Sequence, residues 1–188
     1  MRLFVALELP ASVREALAEL IKEMREIAPK AKWVRPENLH VTLKFLGETS
    51  AEKLDAIGAA LESVRSGAVV EMEFHGLGFF PSQKRARVLW AGVKASANLA
   101  GLASDVDREM TTMGFPAETR EFTPHLTLAR FDPPGMSPAL TKAVESKAAL
   151  SCSLGVLRTG KFHLIQSKLR RTSAEYTTLR SFPFAAEE

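Results

Sequence analysis

The chain has 188 residues, 46% of them apolar, a formal net charge of +3 and one cysteine. That composition supports one sizeable core, and the mild basic balance admits an anionic partner without requiring one. The lone Cys152 excludes an intrachain disulfide or a multi-cysteine metal site and reads as a small buried residue. The apolar run in "MRLFVALELP" is too short for a signal peptide, and no stretch reaches membrane-spanning length. The expectation is a soluble, cytoplasmic protein with no membrane association.

The first element is a strand, LFVALEL (3–9), closed by Pro10. Ser12 and Glu15 then form a capping box, and Val13, Leu17, Leu20, Ile21 and Met24 recur at helical spacing up to Pro29. NLHVTLKFLG (38–47) is the next strand. Side chains alternate, so His40, Thr42 and Lys44 share one face, and Leu39, Val41, Leu43 and Phe45 share the apolar one. Thr49 and Glu52 open a second helix through Leu54, Ile57, Leu61 and Val64, ended by Gly67. VVEMEFHGLGFF (69–80) is a third strand, bulged or bent at its glycines.

The second half runs in the same order. ARVLWAGV (86–93) is a strand, and Leu99, Leu102, Ala103, Val106, Met110 and Met113 mark a helix capped by Ser96 or Asn98. PHLTLARF (124–131) is a strand, and Ser137 caps a helix with Pro138 at its first position. CSLGVLRTGKFHLIQSKL (152–169) reads as one long or paired strand, before a closing strand over 174–182. An offset of 85 places His125 on His40, Thr127 on Thr42, and Arg87–Ala91 on Arg2–Ala6. The reading is an α+β protein: a single domain over 1–188, made of two pseudo-symmetric lobes. Each lobe is a duplicated β-α-β-α-β unit, with approximate repeats 1–82 and 83–165.

Two lobes with their polar strand faces turned inward would hold two imidazoles and two hydroxyls in one cleft. That set suits phosphoryl chemistry. A neutral histidine takes a proton from an attacking water while a protonated one gives a proton to the leaving oxygen, and the imidazole titrates near working pH. Each threonine hydroxyl can donate to a non-bridging phosphate oxygen. Two histidines without a third close ligand make a poor zinc set, and Glu48, Glu71 and Glu121 sit at no diagnostic spacing, so no metal is expected. Lys44 is a candidate phosphate contact on the His40 face. Arg130 falls opposite His125 in a regular strand, and a twist or bulge would return it to an anion. Phe45, Trp33 and Trp90 read as core, and His75 and His163 as structural or surface residues. The basic clusters Lys84, Arg85, Arg87 and Lys168, Arg170, Arg171 are either solvated faces or an RNA path.

The tandem HVTL and HLTL motifs are those of the 2H phosphoesterase superfamily. With "MRLFVALELP", "WVRPENLHVTLKFLG", "ARVLWAGV", "FTPHLTLARF" and "LIQSKLRRTSAEYTTLRSF" around them, the chain resembles the bacterial and archaeal RNA 2′,3′-cyclic phosphodiesterases, also called 2′-5′ RNA ligases. The resemblance implies a bilobal fold, with two antiparallel sheets lining a central cleft and helices outside. It implies an enzyme that opens the 2′,3′-cyclic phosphate at an RNA 3′ end and leaves a 2′-phosphate. The expectation is a monomer without a cofactor, whose partner is RNA with such an end, tRNA fragments included. It also implies that His40 is the proton donor and His125 the acceptor, with Thr42 and Thr127 beside them. The residues alone leave the two histidines symmetric. Rival readings are 2′-5′ ligation, a small cyclic-nucleotide phosphodiesterase, and a non-catalytic RNA-binding module. An ATP-dependent ligase lacks support, because the chain has no Lys-x-Asp-Gly motif and no phosphate-binding glycine loop.

Overall fold

The computed structural model describes residues 1–66, 68–149, 153–169 and 174–184. Cys152, Arg170, Arg171 and Gly67 lie outside the described residues. The strands are β1 (Arg2–Glu8), β2 (Lys32–Trp33), β3 (His40–Glu48), β4 (Val70–Phe80), β5 (Val88–Ala95), β6 (His125–Arg130), β7 (Ser153–Thr159), β8 (Lys161–Leu169) and β9 (Ala174–Pro183). The helices are α1 (Ala11–Ile27), α2 (Leu54–Glu62), α3 (Asn98–Thr112) and α4 (Pro138–Ala149). They make an α+β fold with two antiparallel sheets, ordered β3-β1-β8-β9 and β2-β6-β5-β4-β7. Among the described residues no helix is long and apolar enough to cross a membrane.

The first sheet shows why β1 is apolar almost throughout. It runs between β3 and β8. Leu3, Val5 and Leu7 enter the main core, while Phe4 and Ala6 meet Ile165 and Tyr176 on the opposite, cleft-facing side. With both faces covered, alternation disappears from the sequence. Helix α1 buries Val13, Leu17, Leu20, Ile21 and Met24 and packs on β7 and α4, whereas α3 packs on β3. Helices thus cover the outer face of each sheet.

Each sheet draws strands from both sequence repeats. β4, from the first half, pairs with β5 in the second sheet, and β8, from the second half, pairs with β1 in the first. β4 and β5 are consecutive antiparallel strands with a short connection, and such strands pair as a matter of course. β7 and β8 are neither one strand nor a pair. The chain leaves the second sheet at Thr159, turns through Gly160 and enters the first sheet at Lys161.

Strand pairing also moves the repeat by one residue. Phe4 faces Phe45, Ala6 faces Thr42 and Glu8 faces His40. Val88 faces Arg130, Trp90 faces Thr127 and Gly92 faces His125. The motif strands differ by 85, but β1 and β5 differ by 84. Two apolar runs look alike under a one-residue slip, although the slip exchanges their faces. Trp90, not Ala91, is therefore the counterpart of Ala6, and it lies on the cleft side.

The helix starts were only partly legible. Ser12 lies inside α1, where Pro10 holds the N-cap position with no side-chain cap. Thr49 bonds the Gly47 carbonyl at 3.2 Å, and α2 begins later, after a 3-10 turn over Ala51–Lys53. α3 follows Ala97 without a side-chain cap. Ser137 does cap α4, its Oγ accepting from the Leu140 amide at 3.2 Å.

Candidate active site

The site is built by two β-bulges at matching places. Against β1, the register steps from Val5–Lys44 to Ala6–Thr42 and leaves Leu43 unpaired. Against β5, it steps from Leu89–Ala129 to Trp90–Thr127 and leaves Leu128 unpaired. An extra residue reverses the facing of everything beyond it. Hence Leu43 and Lys44 are both buried, as are Leu128 and Ala129. The residues after them, Phe45 and Arg130, rejoin the face of the histidines.

This corrects two expectations and resolves a third. Lys44 does not share the cleft with His40. It is 7% exposed, and its ammonium donates to the Asp107 carboxylate of α3 and to the Pro116 carbonyl, the latter at 2.7 Å. Asp107 also accepts from the Glu118 amide at 3.1 Å. Burial pushes the Asp107 carboxyl up, but the hydrogen bonds from Lys44 and the Glu118 amide, together with the Lys44 charge, outweigh it and hold the group below its ordinary range. Phe45 is not core; it is 65% exposed, with its ring 6.0 Å from that of Phe4. Arg130 returns to the cleft by the bulge, and its charge is felt at both His40 and Tyr176.

His40, Thr42, His125 and Thr127 open their strands in the same half-buried pattern. Each imidazole is held identically. His40 Nδ1 bonds the Asn38 carbonyl at 2.7 Å and His125 Nδ1 bonds the Thr123 carbonyl at 2.8 Å. A carbonyl only accepts, so Nδ1 carries the hydrogen and Nε2 is the nitrogen left for chemistry. Asn38 is itself tied to β9, its amide donating to the Ala174 carbonyl at 2.7 Å.

β3 and β6 approach one another, which joins the two motifs across the cleft. On the first sheet, His40 lies 4.6 Å from Phe4 and meets Tyr176 edge-on at 5.3 Å. Burial lowers the His40 pKa; the Asn38 carbonyl opposes this, while the charges of Arg130 and His125 lower it further. Burial raises the Tyr176 phenol against the opposing pull of Arg130 and Arg2. On the second sheet, His125 meets Phe80 edge-on at 5.3 Å, and Phe80 stacks on Trp90. A polar pocket of about 130 Å³ opens beside His40, lined by Glu8, Arg14, Asn38, Tyr176 and Thr178 among others. The larger cavity, about 310 Å³ between the end of α1 and the start of α4, lies away from the histidines.

His75 is exposed. His163 is buried, with Nδ1 2.9 Å from the Ser181 hydroxyl, and burial lowers its pKa. Neither joins the motif pair. Among the described residues, no three His, Cys, Asp or Glu side chains gather as a metal would require.

A family described as LigT like phosphoesterase matches residues 7–90 and, a second time, residues 93–176. The chain belongs to the LigT-like phosphoesterase family. It is 36% identical to an RNA 2′,3′-cyclic phosphodiesterase of Archaeoglobus fulgidus, covering 97% of this chain and 99% of that one. It is 34% identical to the protein of the same name from Aquifex aeolicus, with 96% of each chain covered. Among solved structures, this LigT-like chain superposes on a Thermus thermophilus protein with TM-score 0.82 and 29% identity over the full length of both. It superposes on Escherichia coli LigT complexed with 3′-AMP with TM-score 0.76 and 26% identity, covering 98% of each. The protein is thus an enzyme of a phosphoesterase family with the matching α+β fold.

Sequence reasoning missed the aromatic frame of this site. Phe4, Phe45, Tyr176, Phe80 and Trp90 all stand on the cleft side. The repeated His-x-Thr pointed to their strands, but only pairing register shows their faces.

Proposed function

We propose that this LigT-like phosphoesterase opens the 2′,3′-cyclic phosphate at an RNA 3′ end and leaves a 2′-phosphate. His40 would be the proton donor and His125 the acceptor. The observation that carries the reading is the matched pair of imidazoles. Each is fixed through Nδ1 to a carbonyl two residues earlier, on bulged strands that approach across one cleft. The names of the full-length relatives supply the substrate class.

His125 Nε2 accepts a proton as a water oxygen attacks phosphorus. The bond from phosphorus to O3′ breaks, and His40 Nε2–H gives its proton to that oxygen. One proton enters the enzyme and one leaves, so the pair ends with its protonation exchanged and resets through solvent. The Thr42 and Thr127 hydroxyls donate to the non-bridging oxygens, where transition-state charge gathers. Arg130 adds a fixed cation on the same face. Phe45 offers an exposed ring beside Phe4, on the face of the histidines, for the base of the reacting nucleotide. A free His40 of lowered pKa is poorly protonated at neutral pH, and the bound phosphate anion works in the opposite direction by favouring the imidazolium. No step requires a metal or a cofactor.

The test is to incubate the protein with an RNA ending in a 2′,3′-cyclic phosphate, with and without excess chelator, and to locate the remaining phosphate. A 2′-phosphate in both samples is expected. A 3′-phosphate would reverse the assignment of leaving oxygen, and loss of activity with chelator, restored by one divalent ion, would replace the mechanism with a metal-assisted one.

A further inference from the structure

The second sheet carries an aromatic stack that the reaction as written does not use. Trp90 faces Gly78 on β4 and Thr127 on β6. Its indole lies flat across Gly78, where any Cβ would overlap the ring. Phe80 stacks on it, with centroids 5.3 Å apart and planes 29° from parallel, and makes a T-shaped pair with His125. Phe80 nonetheless stays 38% exposed. The Trp90 Nε1 is buried with no acceptor among the described residues. A buried unpaired donor is unfavourable, so a ring that merely filled space would be better served by phenylalanine. What the indole supplies is a broad rigid backing for Phe80.

We propose that the Phe80–Trp90 stack is a second nucleobase subsite, taking a base of single-stranded RNA other than the one that bears the cyclic phosphate. The inference rests on the division of roles proposed above. With His40 protonating O3′, the reacting ribose sits on the His40 side, next to Phe45 and Tyr176. His125 stands on the side of the attacking water, and Phe80 stands beside His125. A base on Phe80 therefore belongs to a different nucleotide. The chain leaving Phe80 suits a nucleic acid strand: Lys84, Arg85 and Arg87 are exposed, and the Arg87 amide ties back to the Phe80 carbonyl at 2.8 Å. Stacked bases next to a row of cations is the general form of single-strand binding. The base has two sources, the upstream nucleotide of the substrate strand or a separate strand whose 5′ end lies where the water enters.

The test compares hydrolysis of a mononucleoside 2′,3′-cyclic phosphate with that of a dinucleotide ending in the same group. It also measures inhibition of the mononucleotide reaction by a dinucleotide with two free hydroxyl ends. The variants are Phe80→Leu, which removes the ring, and Phe80→Tyr, which keeps it. The readout is the ratio of kcat/KM for dinucleotide over mononucleotide, so any disturbance of His125 cancels. If the upstream base occupies the subsite, Phe80→Leu lowers that ratio by about tenfold, the scale of one base–aromatic stack, and Phe80→Tyr restores it. If a separate strand occupies it, the ratio holds and the inhibition constant rises by about tenfold in Phe80→Leu alone. Equal loss on all substrates, or no change in either measurement, overturns the proposal. Failure of the wild-type protein to open either cyclic phosphate would instead overturn the reaction.

Discussion

Lys44 decides between two ways of reading the same strand. If it faced phosphate, Lys44→Met would raise KM and leave folding alone. The structure predicts the reverse. Methionine keeps the apolar stem but removes the ammonium that Asp107 and the Pro116 carbonyl share. Breaking a buried pair from one side costs about 3–5 kcal/mol, because the other charge is left unpaired. The Asp107 side chain is 26% exposed, and water can solvate what remains, so Lys44→Met belongs below that range, at about 2 kcal/mol. For a chain of this size that lowers Tm by about 4–8 °C, at roughly 2–4 °C per kcal/mol. Asp107→Ala strands the more deeply buried partner and should cost about 4 kcal/mol. Replacing both, Lys44→Met with Asp107→Leu, should recover part of the loss, since neither charge is then left alone. The pair also sets a pH dependence. The folded carboxyl lies below its ordinary value of 3.8, so its stabilisation is complete above that value and disappears as pH falls through the folded pKa. The gap between wild type and Lys44→Met should close over that acid range. Thermal unfolding followed by circular dichroism measures all of this. A Lys44→Met protein with unchanged Tm and raised KM would refute the reasoning and return the lysine to the cleft.

His40→Ala and His125→Ala should each lower turnover by about a hundredfold or more, with Tm preserved, as neither ring is a core residue. A substrate with a better leaving group should rescue His40→Ala and not His125→Ala; rescue of the other variant exchanges the roles. Arg130→Gln removes a charge that lowers the His40 pKa, so the limb of the kcat/KM profile that belongs to His40 should move to higher pH. Movement of the alkaline limb fits His40 as donor, movement of the acid limb fits it as acceptor, and a fixed profile would mean that the guanidinium does not act on His40. Thr42→Val and Thr127→Val keep the β-branched shape and remove a donor to the phosphate, so each should lower kcat by roughly tenfold to a thousandfold. Unchanged kinetics would leave the threonines as strand formers only.

His40, Thr42, His125 and Thr127 were legible as a unit because each pair lies before its bulge, where period two still holds along the strand. The order of strands and helices was legible for a similar reason: long apolar runs and helical spacing are local signals. Lys44, Phe45 and Arg130 lie past the bulges, where one unpaired leucine reverses inside and outside. A leucine in a bulge looks no different in sequence from a leucine in a regular strand, so only its partner strand reveals it. The same holds for β4 and β8. Their residues state that they are strands, but which sheet receives them depends on pairing with chain segments from the other half. Trp90 shows the limit most plainly. An apolar run reads the same from either face, and it took the register against β4 and β6 to put that indole on Gly78, in the cleft, rather than in the core.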